Sequence, residues 1–215
     1  MSRDLVARYV QAQLEGDRAA ALRVVDGAVH DGMDLQSVHL NVVQAAQYEI
    51  GRLWETNAIS IAVEHQATAI SQLVLAHLYE RLPREGANGK RVLLACVEGE
   101  LHDMGSRIGA DFLEMAGFEV RFLGASVPAV SLAERVEQYR PDLVALSATM
   151  TFHLPALEQA VEHVRATSLP RVPILVGGRA FTWASSATSR LDVQGYAQNA
   201  SEMVEVARRL TAPSA

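Results

Sequence analysis

Apolar residues along this chain follow two different periods. Up to about residue 80 they recur at helical spacing: Leu35, Val38, Val42, Ala45 and Leu53 are separated by three, four or sums of these, as are Val63, Ala67, Ile70, Val74 and Leu78. Asp34 and Ser60 stand where N-caps of these two helices belong. Gly16 and Gly32 stand where two shorter helices would stop. Four amphipathic helices on short connections predict an antiparallel bundle over residues 1–83. Residues 84–90, Arg-Glu-Gly-Ala-Asn-Gly-Lys, have the composition of a linker.

After Lys90 the pattern changes to short apolar runs, Val92–Val97, Val120–Leu123, Leu143–Leu146 and Val172–Val176. They alternate with helical stretches near 104–116, 130–140, 154–166 and 200–211, and a fifth strand is expected near Leu191–Val193. The fold class that follows is α + α/β: an N-terminal four-helix bundle, then a doubly wound, parallel, five-stranded, flavodoxin-like sheet over residues 91–215. Ligands of such sheets sit beyond the C-terminal ends of the strands. That directs the search for chemistry to loops 98–105, 124–129, 147–153 and 177–183.

Composition removes some classes of function. The chain is 49% hydrophobic and 20% charged, as ordinary globular proteins are. A formal charge of −6 without a basic run argues against direct nucleic-acid binding. The one cysteine, Cys96, cannot form an internal disulfide, and its place in an apolar run reads as a small buried hydrophobe. No apolar stretch approaches the roughly 18 residues that span a bilayer, and the N-terminus carries no signal-like apolar core. A soluble cytoplasmic protein without membrane contact is expected.

Directly after the first strand comes Glu98-Gly99-Glu100-Leu101-His102-Asp103-Met104-Gly105. Neither G-x-G-x-x-G nor G-x-x-x-x-G-K-[ST] is present, so neither dinucleotide nor P-loop chemistry is indicated. What the loop offers is an imidazole beside carboxylates, a good transition-metal ligand whose tautomer a neighbouring acid such as Glu100 would fix. Glu100-x-His102-x-x-Gly105 is followed, after residues 106–146, by Ser147-Ala148-Thr149, and after residues 150–176 by Gly177-Gly178. This resembles the cobalamin-binding domain family, whose pattern is D-x-H-x-x-G, S-x-L and G-G at these separations, over residues 90 to 212.

The resemblance implies base-off, His-on binding. His102 would be the lower axial ligand of cobalt in place of the cofactor's own dimethylbenzimidazole, and the freed nucleotide tail would insert beside the sheet. Glu100, Leu101, Asp103, Met104, Gly105, Ser147, Thr149, Thr151, Gly177 and Gly178 would be cofactor contacts. Ser147 and Thr149 would offer hydroxyls to the tail, the glycine pair would let it pass close to backbone, and Gly105 would allow a sharp turn into the following helix. Glu100 stands where the family has Asp and Thr149 where it has Leu, which makes an altered Glu100–His102 contact an expectation.

The helical half carries Trp54 and, nine residues on, Glu64-His65. W-x9-E-H resembles the cap of cobalamin-dependent photoreceptors, in which the bundle covers the upper face of the corrin. That implies a light-responsive sensor holding adenosylcobalamin, with methylcobalamin the second choice. Trp54 would shield the upper axial group, and Glu64 and His65 would bond the adenosyl ribose. Glu55 follows Trp54 where many DNA-binding members have a ligating histidine. The chain opens on the bundle, so output is expected through a homo-oligomer or a separate regulatory protein. A photocobilin sub-branch also brings in a bilin such as biliverdin. The alternative is a corrinoid carrier of a methyltransferase system, whose members share the helical cap. Either way a catalyst is not expected, and a mutase subunit would need a substrate barrel.

Overall fold

The computed structural model describes residues 2–169, 172–184, 188 and 190–212. Its contacts divide the chain into two compact units, Met1–Pro83 and Arg84–Ala215.

The first unit is helical. It comprises α1 (Ser2–Glu15), α2 (Arg18–His30), a rod built of α3 (Leu35–Val38), a π-helical stretch (His39–Gln44) and α4 (Ala45–Glu55), and then α5 (Ile61–Tyr79). The ends are where side-chain chemistry places them. Asp34 accepts the Ser37 N–H at 2.7 Å, and Ser60 accepts that of Val63. Asp17, which the periodicity does not single out, caps α2 through the Ala20 N–H. Gly16 and Gly32 have φ of +71° and +92°, the left-handed turn that ends a helix. Val38, Val42, Ala46 and Ile50 of the rod and Ala67, Ile70, Val74 and Leu78 of α5 are buried, the helical period realised as a core.

A polar seam runs through that core. Tyr9 donates to Ser71, Ser71 to the Gln47 carbonyl, the Gln47 amide to Thr68, and Thr68 to the Glu64 carboxylate, over distances of 2.9–3.1 Å. Gln13 adds amide bonds to Gln47, Ser71 and the Ala67 carbonyl. The acceptor-only carboxylate sets the direction of the whole series. Burial pushes the Tyr9 phenol up to about 12, against the lowering effect of its bond to Ser71.

The second unit is a parallel sheet of β1 (Arg91–Cys96), β2 (Glu119–Phe122), β3 (Leu143–Ser147), β4 (Ile174–Gly177) and β5 (Gly195–Ala197) in the order β2-β1-β3-β4-β5. Between them lie α6 (Met104–Met115), α7 (Ala129–Tyr139), a 3-10 turn (Thr151–His153), α8 (Leu154–Arg165) and α9 (Ala180–Trp183), and α10 (Ala200–Thr211) follows the last strand. Alternate strand residues feed two cores. Leu93, Ala95, Val144, Leu146, Ile174 and Val176 meet α7 and α8. Val92, Leu94, Leu143, Ala145 and Leu175 meet α6 and α10. Both faces being covered, the strands read as unbroken apolar runs.

One strand lies elsewhere than expected. β5 is Gly195–Ala197, not Leu191–Val193. The Asp192 carbonyl accepts from the Arg165 guanidinium at 2.8 and 3.2 Å, and the ladder to β4 opens only at Leu175–Gly195. Leu191 and Val193 pack half-buried beside the α7–α8 core, which is why they look strand-like. Gly195, with no side chain, reads as a breaker, yet a Cβ there would meet Val206 at 2.6 Å. Among the described residues no helix is long and apolar enough to cross a membrane.

Candidate functional site

In a 2-1-3-4-5 sheet the connections leave in opposite directions from β1 and β3, opening a crevice at their C-terminal ends. Glu100, in the loop after β1, has its side chain fully buried there. Its Oε1 accepts from the His102 backbone N–H at 2.9 Å and from His102 Nδ1 at 2.6 Å. Its Oε2 accepts from the Thr149 and Met150 N–H groups at 2.7 and 3.1 Å and from His153 Nδ1 at 2.8 Å. One carboxylate thus ties the loop after β1 to the loop after β3. Burial alone would raise the Glu100 carboxyl, but the bonds from His102, His153 and Thr149 outweigh it and hold the group down at about 2.

The consequence for His102 is chemical. A buried anion on Nδ1 requires the proton there, so Nε2 is the basic nitrogen, and the imidazole is 57% exposed. An imidazole with its tautomer fixed in this way could serve as a metal ligand. The extra methylene of Glu100 relative to Asp does not break the contact: the acid reaches His102 directly.

His153 is the residue that the sequence pattern missed. It closes the 3-10 turn, is 13% exposed, and packs its ring edge-on against Phe152 at 4.4 Å and beside Gly99. The signal available was an imidazole in loop 147–153, two residues beyond Thr151.

The other candidates fall around this centre in different ways. Ser147 ends β3 and Thr149 supplies its backbone N–H to Glu100, while Thr151 opens the 3-10 turn and is exposed. Leu101 is 73% exposed. Asp103 precedes α6 and holds Arg107 at 3.1 Å, and Met104 is the first residue of that helix. Gly105 makes no sharp turn. It lies in regular α6, and a Cβ there would meet nothing within 4 Å. The positive φ that redirects the chain belongs to Gly99, at +81°. Gly178, with φ +105°, is required by the chain itself: its Cβ would lie 2.2 Å from the Ala148 carbonyl oxygen, and that of Gly177 3.0 Å from the Ala197 oxygen.

In the helical unit, Trp54 lies next to the end of α4 and is 42% exposed, and Glu64 and His65 lie in the first turn of α5. Glu64 accepts from His65 Nδ1 at 2.5 Å and from Thr68.

Two family models match the chain, both described as a B12 binding domain, one over residues 90–205 and one over residues 5–79. The chain belongs to the B12-binding family. Cobalamin binding and the two-part fold follow from that membership. A dimethylamine corrinoid protein of Methanosarcina barkeri is 30% identical, with 97% of this chain and 98% of the relative covered. The monomethylamine corrinoid protein of Methanosarcina barkeri superposes with a TM-score of 0.80 at 18% identity, over 98% of this chain and 100% of that one. A methanol:cobalamin methyltransferase complex of the same organism gives 0.54 at 20% identity, over 98% and 81%. These two likenesses show the fold.

The light-sensing reading is overturned by these matches. A relative that covers both halves of the chain is a dimethylamine corrinoid protein. W-x9-E-H spans the turn from α4 to α5. The matches likewise support cobalamin without favouring its adenosyl form, and give no support to a bilin.

Proposed function

We propose that this chain is a corrinoid carrier in a methyl-transfer system, holding cobalamin base-off with His102 as the lower axial ligand. The observation that carries the proposal is the buried Glu100 carboxylate gripping His102 Nδ1 at the switch point of the sheet, in a chain that matches a corrinoid protein along 97% of its length.

The donor set fits a cobalt corrinoid. An exposed, tautomer-fixed imidazole suits a borderline transition metal, and an anion behind it strengthens the donor nitrogen. A Cβ at Gly105 would meet nothing within 4 Å, and Leu101 offers an exposed apolar side chain. When bound, the cobalt would supply a centre that takes up and releases a methyl group. The chain's own residues hold that centre. Glu100 fixes the ligand, His153 and the two loop N–H groups fix Glu100, and Ser147, Thr149, Thr151, Gly177 and Gly178 line the side toward β3 and β4. Asp103 and Met104 set the start of α6 under the ligand. We assign Trp54, Glu64 and His65 to cofactor contact from the helical unit. Methylcobalamin is the form that suits a carrier. The partner is a separate methyltransferase acting on a small methylated amine, the class named for the 30%-identical relative.

The test begins with hydroxocobalamin. Reduced to cobalt(II), the loaded protein should show hyperfine coupling to one protein imidazole nitrogen in EPR, lost in His102→Ala. Reduced further and mixed with a methylamine methyltransferase and dimethylamine, it should lose its cobalt(I) absorption only when all components are present. An absorption that persists sinks the carrier role and leaves the corrinoid site standing. Unchanged EPR in His102→Ala removes the site.

A further inference from the structure

Among the described residues other than glycine, Asn57, Ser126 and Arg140 have a positive φ. Asn57 and Arg140 stand just past the ends of α4 and α7, where a left-handed residue is the usual stop of a helix. Ser126, at φ +52°, ends no helix. It lies in the loop after β2, beside the loop that carries Glu100 and His102. There Cys96, the last residue of β1, donates to the Gly124 carbonyl and accepts from the Val127 N–H, both at 3.0 Å. A regular parallel ladder leaves one residue between two such partners, but here Ala125 and Ser126 both intervene. The extra residue makes a bulge, a device that re-aims a side chain, and the left-handed turn at Ser126 takes it up.

What the bulge brings to the site is a two-point grip. The Ser126 N–H donates to the Glu100 carbonyl at 2.9 Å, and the Ser126 hydroxyl accepts from the Gly99 N–H at 3.0 Å. Val97 to Glu100 is a type II turn: the Glu100 N–H returns to the Val97 carbonyl at 3.0 Å, and Gly99 has φ +81°. Such a turn offers the N–H of its third residue no acceptor, and Ser126 supplies one from the next loop. Gly99 is exposed, whereas the Glu100 side chain is fully buried. Water would satisfy an exposed N–H as well as a hydroxyl does, so the contribution of the hydroxyl is location. It holds the turn whose next residue must deliver its carboxylate to His102 and to the loop after β3. Glu100 is thus held by its side chain from the β3 loop and by its backbone from the β2 loop. A turn alone does not call for serine. Glycine adopts φ +52° without strain, and asparagine adopts it more readily than serine. The residue present is one whose backbone is disfavoured there and whose hydroxyl reaches Gly99, the kind of local strain that collects at functional sites.

We infer that Ser126 is a positioning residue of the corrinoid site: from the β2 side it sets the turn that presents Glu100, and through Glu100 it sets His102. This role rests on the corrinoid reading above. Ser126→Gly, Ser126→Ala and Ser126→Asn should be compared with wild type. Glycine removes the strain and the hydroxyl together, so the urea midpoint of the cofactor-free Ser126→Gly chain should be no lower than that of wild type. Its Kd for hydroxocobalamin should nevertheless rise roughly three- to tenfold, the scale of one hydrogen bond. Ser126→Ala keeps the strain and loses the hydroxyl, so it should bind as weakly as Ser126→Gly from a lower midpoint. Ser126→Asn keeps a side-chain acceptor and tolerates the turn, and its affinity should lie between those of wild type and Ser126→Gly. Loaded and reduced to cobalt(II), Ser126→Gly should show an EPR fraction without coupling to a protein nitrogen, absent from wild type. In the cofactor-free chain, the proton on His102 Nδ1, identified by its loss in His102→Ala, should resonate at higher field in Ser126→Gly as its bond to Glu100 loosens. A Ser126→Gly that binds hydroxocobalamin as wild type does overturns the role. So do affinities that follow the urea midpoint across the three variants, the mark of a residue that serves the fold alone. A wild type that binds no cobalamin removes the corrinoid reading instead, and the His102 Nδ1 proton then still decides whether Ser126 sets the imidazole.

Discussion

Glu64 holds His65 in the helical unit at 2.5 Å, and Glu100 holds His102 in the α/β unit at 2.6 Å. The residue types and the nitrogen engaged are the same, but the surroundings are not. Glu64 is 21% exposed, and its bonds come from His65 and Thr68, side chains of its own helix. Glu100 is fully buried and takes five hydrogen bonds, three of them from backbone N–H groups and two from imidazoles. A carboxylate bonded by neighbours on one helix remains free to trade them for water. One bonded by the backbone of two loops is fixed by the fold, and the imidazole it carries is fixed with it. A ligand site needs the second arrangement, because the geometry must exist before the ligand arrives.

The largest effect should come from cutting both pairs in the same way. Glu100→Ala leaves three loop N–H groups and two imidazoles without their acceptor inside the protein. We expect it to cost about 3–5 kcal/mol in urea unfolding of the cofactor-free chain. Glu64→Ala should cost less than about 1 kcal/mol, since water replaces the carboxylate at the surface. Comparable losses would show that burial does not separate the pairs.

Acid titration sharpens the contrast. The Glu100 carboxyl is held at about 2, below the ordinary value of 4.5, so its ionised form is favoured by folding. The stability that it contributes is therefore complete above pH 4.5 and disappears as pH falls toward 2. The amount is about 3 kcal/mol, from the linkage between pKa and folding. Unfolding curves of wild type and Glu100→Gln between pH 6 and 2.5 should converge by most of that amount. Parallel curves would mean that Glu100 titrates in the folded protein as it does in the unfolded chain.

Much of this was legible in the sequence, and what was not has a physical reason. The helical period marked the caps Asp34 and Ser60 because capping is a local bond between residues three apart. The unbroken apolar runs marked four strands because both sheet faces are covered. The fifth strand was misread, since Gly195 and Tyr196 owe their pairing to β4 and to the close approach of Val206, neither visible locally. At the site, Glu100 and His102 were legible because they are two residues apart. His153 was not: it reaches Glu100 across 53 positions, and only the crossing of the β1 and β3 loops brings it there. Gly177 and Gly178 were noticed for the cofactor's sake, whereas the near neighbours of their missing side chains are the oxygens of Ala197 and Ala148. The function was misassigned for the converse reason. Trp54 and Glu64-His65 stand on either side of the α4–α5 turn, and their spacing alone does not separate a light sensor from a carrier.

His153 provides the smallest and most discriminating test of the comparison. His153→Ala removes one of five donors to Glu100 from a pocket where the imidazole is 13% exposed. The backbone bonds from His102, Thr149 and Met150 remain, so the fold should lose only about 1–2 kcal/mol, one charge-assisted hydrogen bond with some packing. The sign of the accompanying change is fixed. With fewer donors the ionised carboxylate is less favoured and its pKa rises, so the loss of stability on acidification starts near the same pH as in wild type but is smaller and ends at a higher pH. A carboxylate held by fewer bonds is also a less rigid brace for His102, so cobalamin retention should fall while the cobalt(II) EPR still shows a protein nitrogen. Suppose instead that His153→Ala left the acid limb and the retention untouched. Glu100 would then draw its strength from His102 and the backbone N–H groups alone, and the imidazole from the β3 loop would not be part of what distinguishes the two pairs.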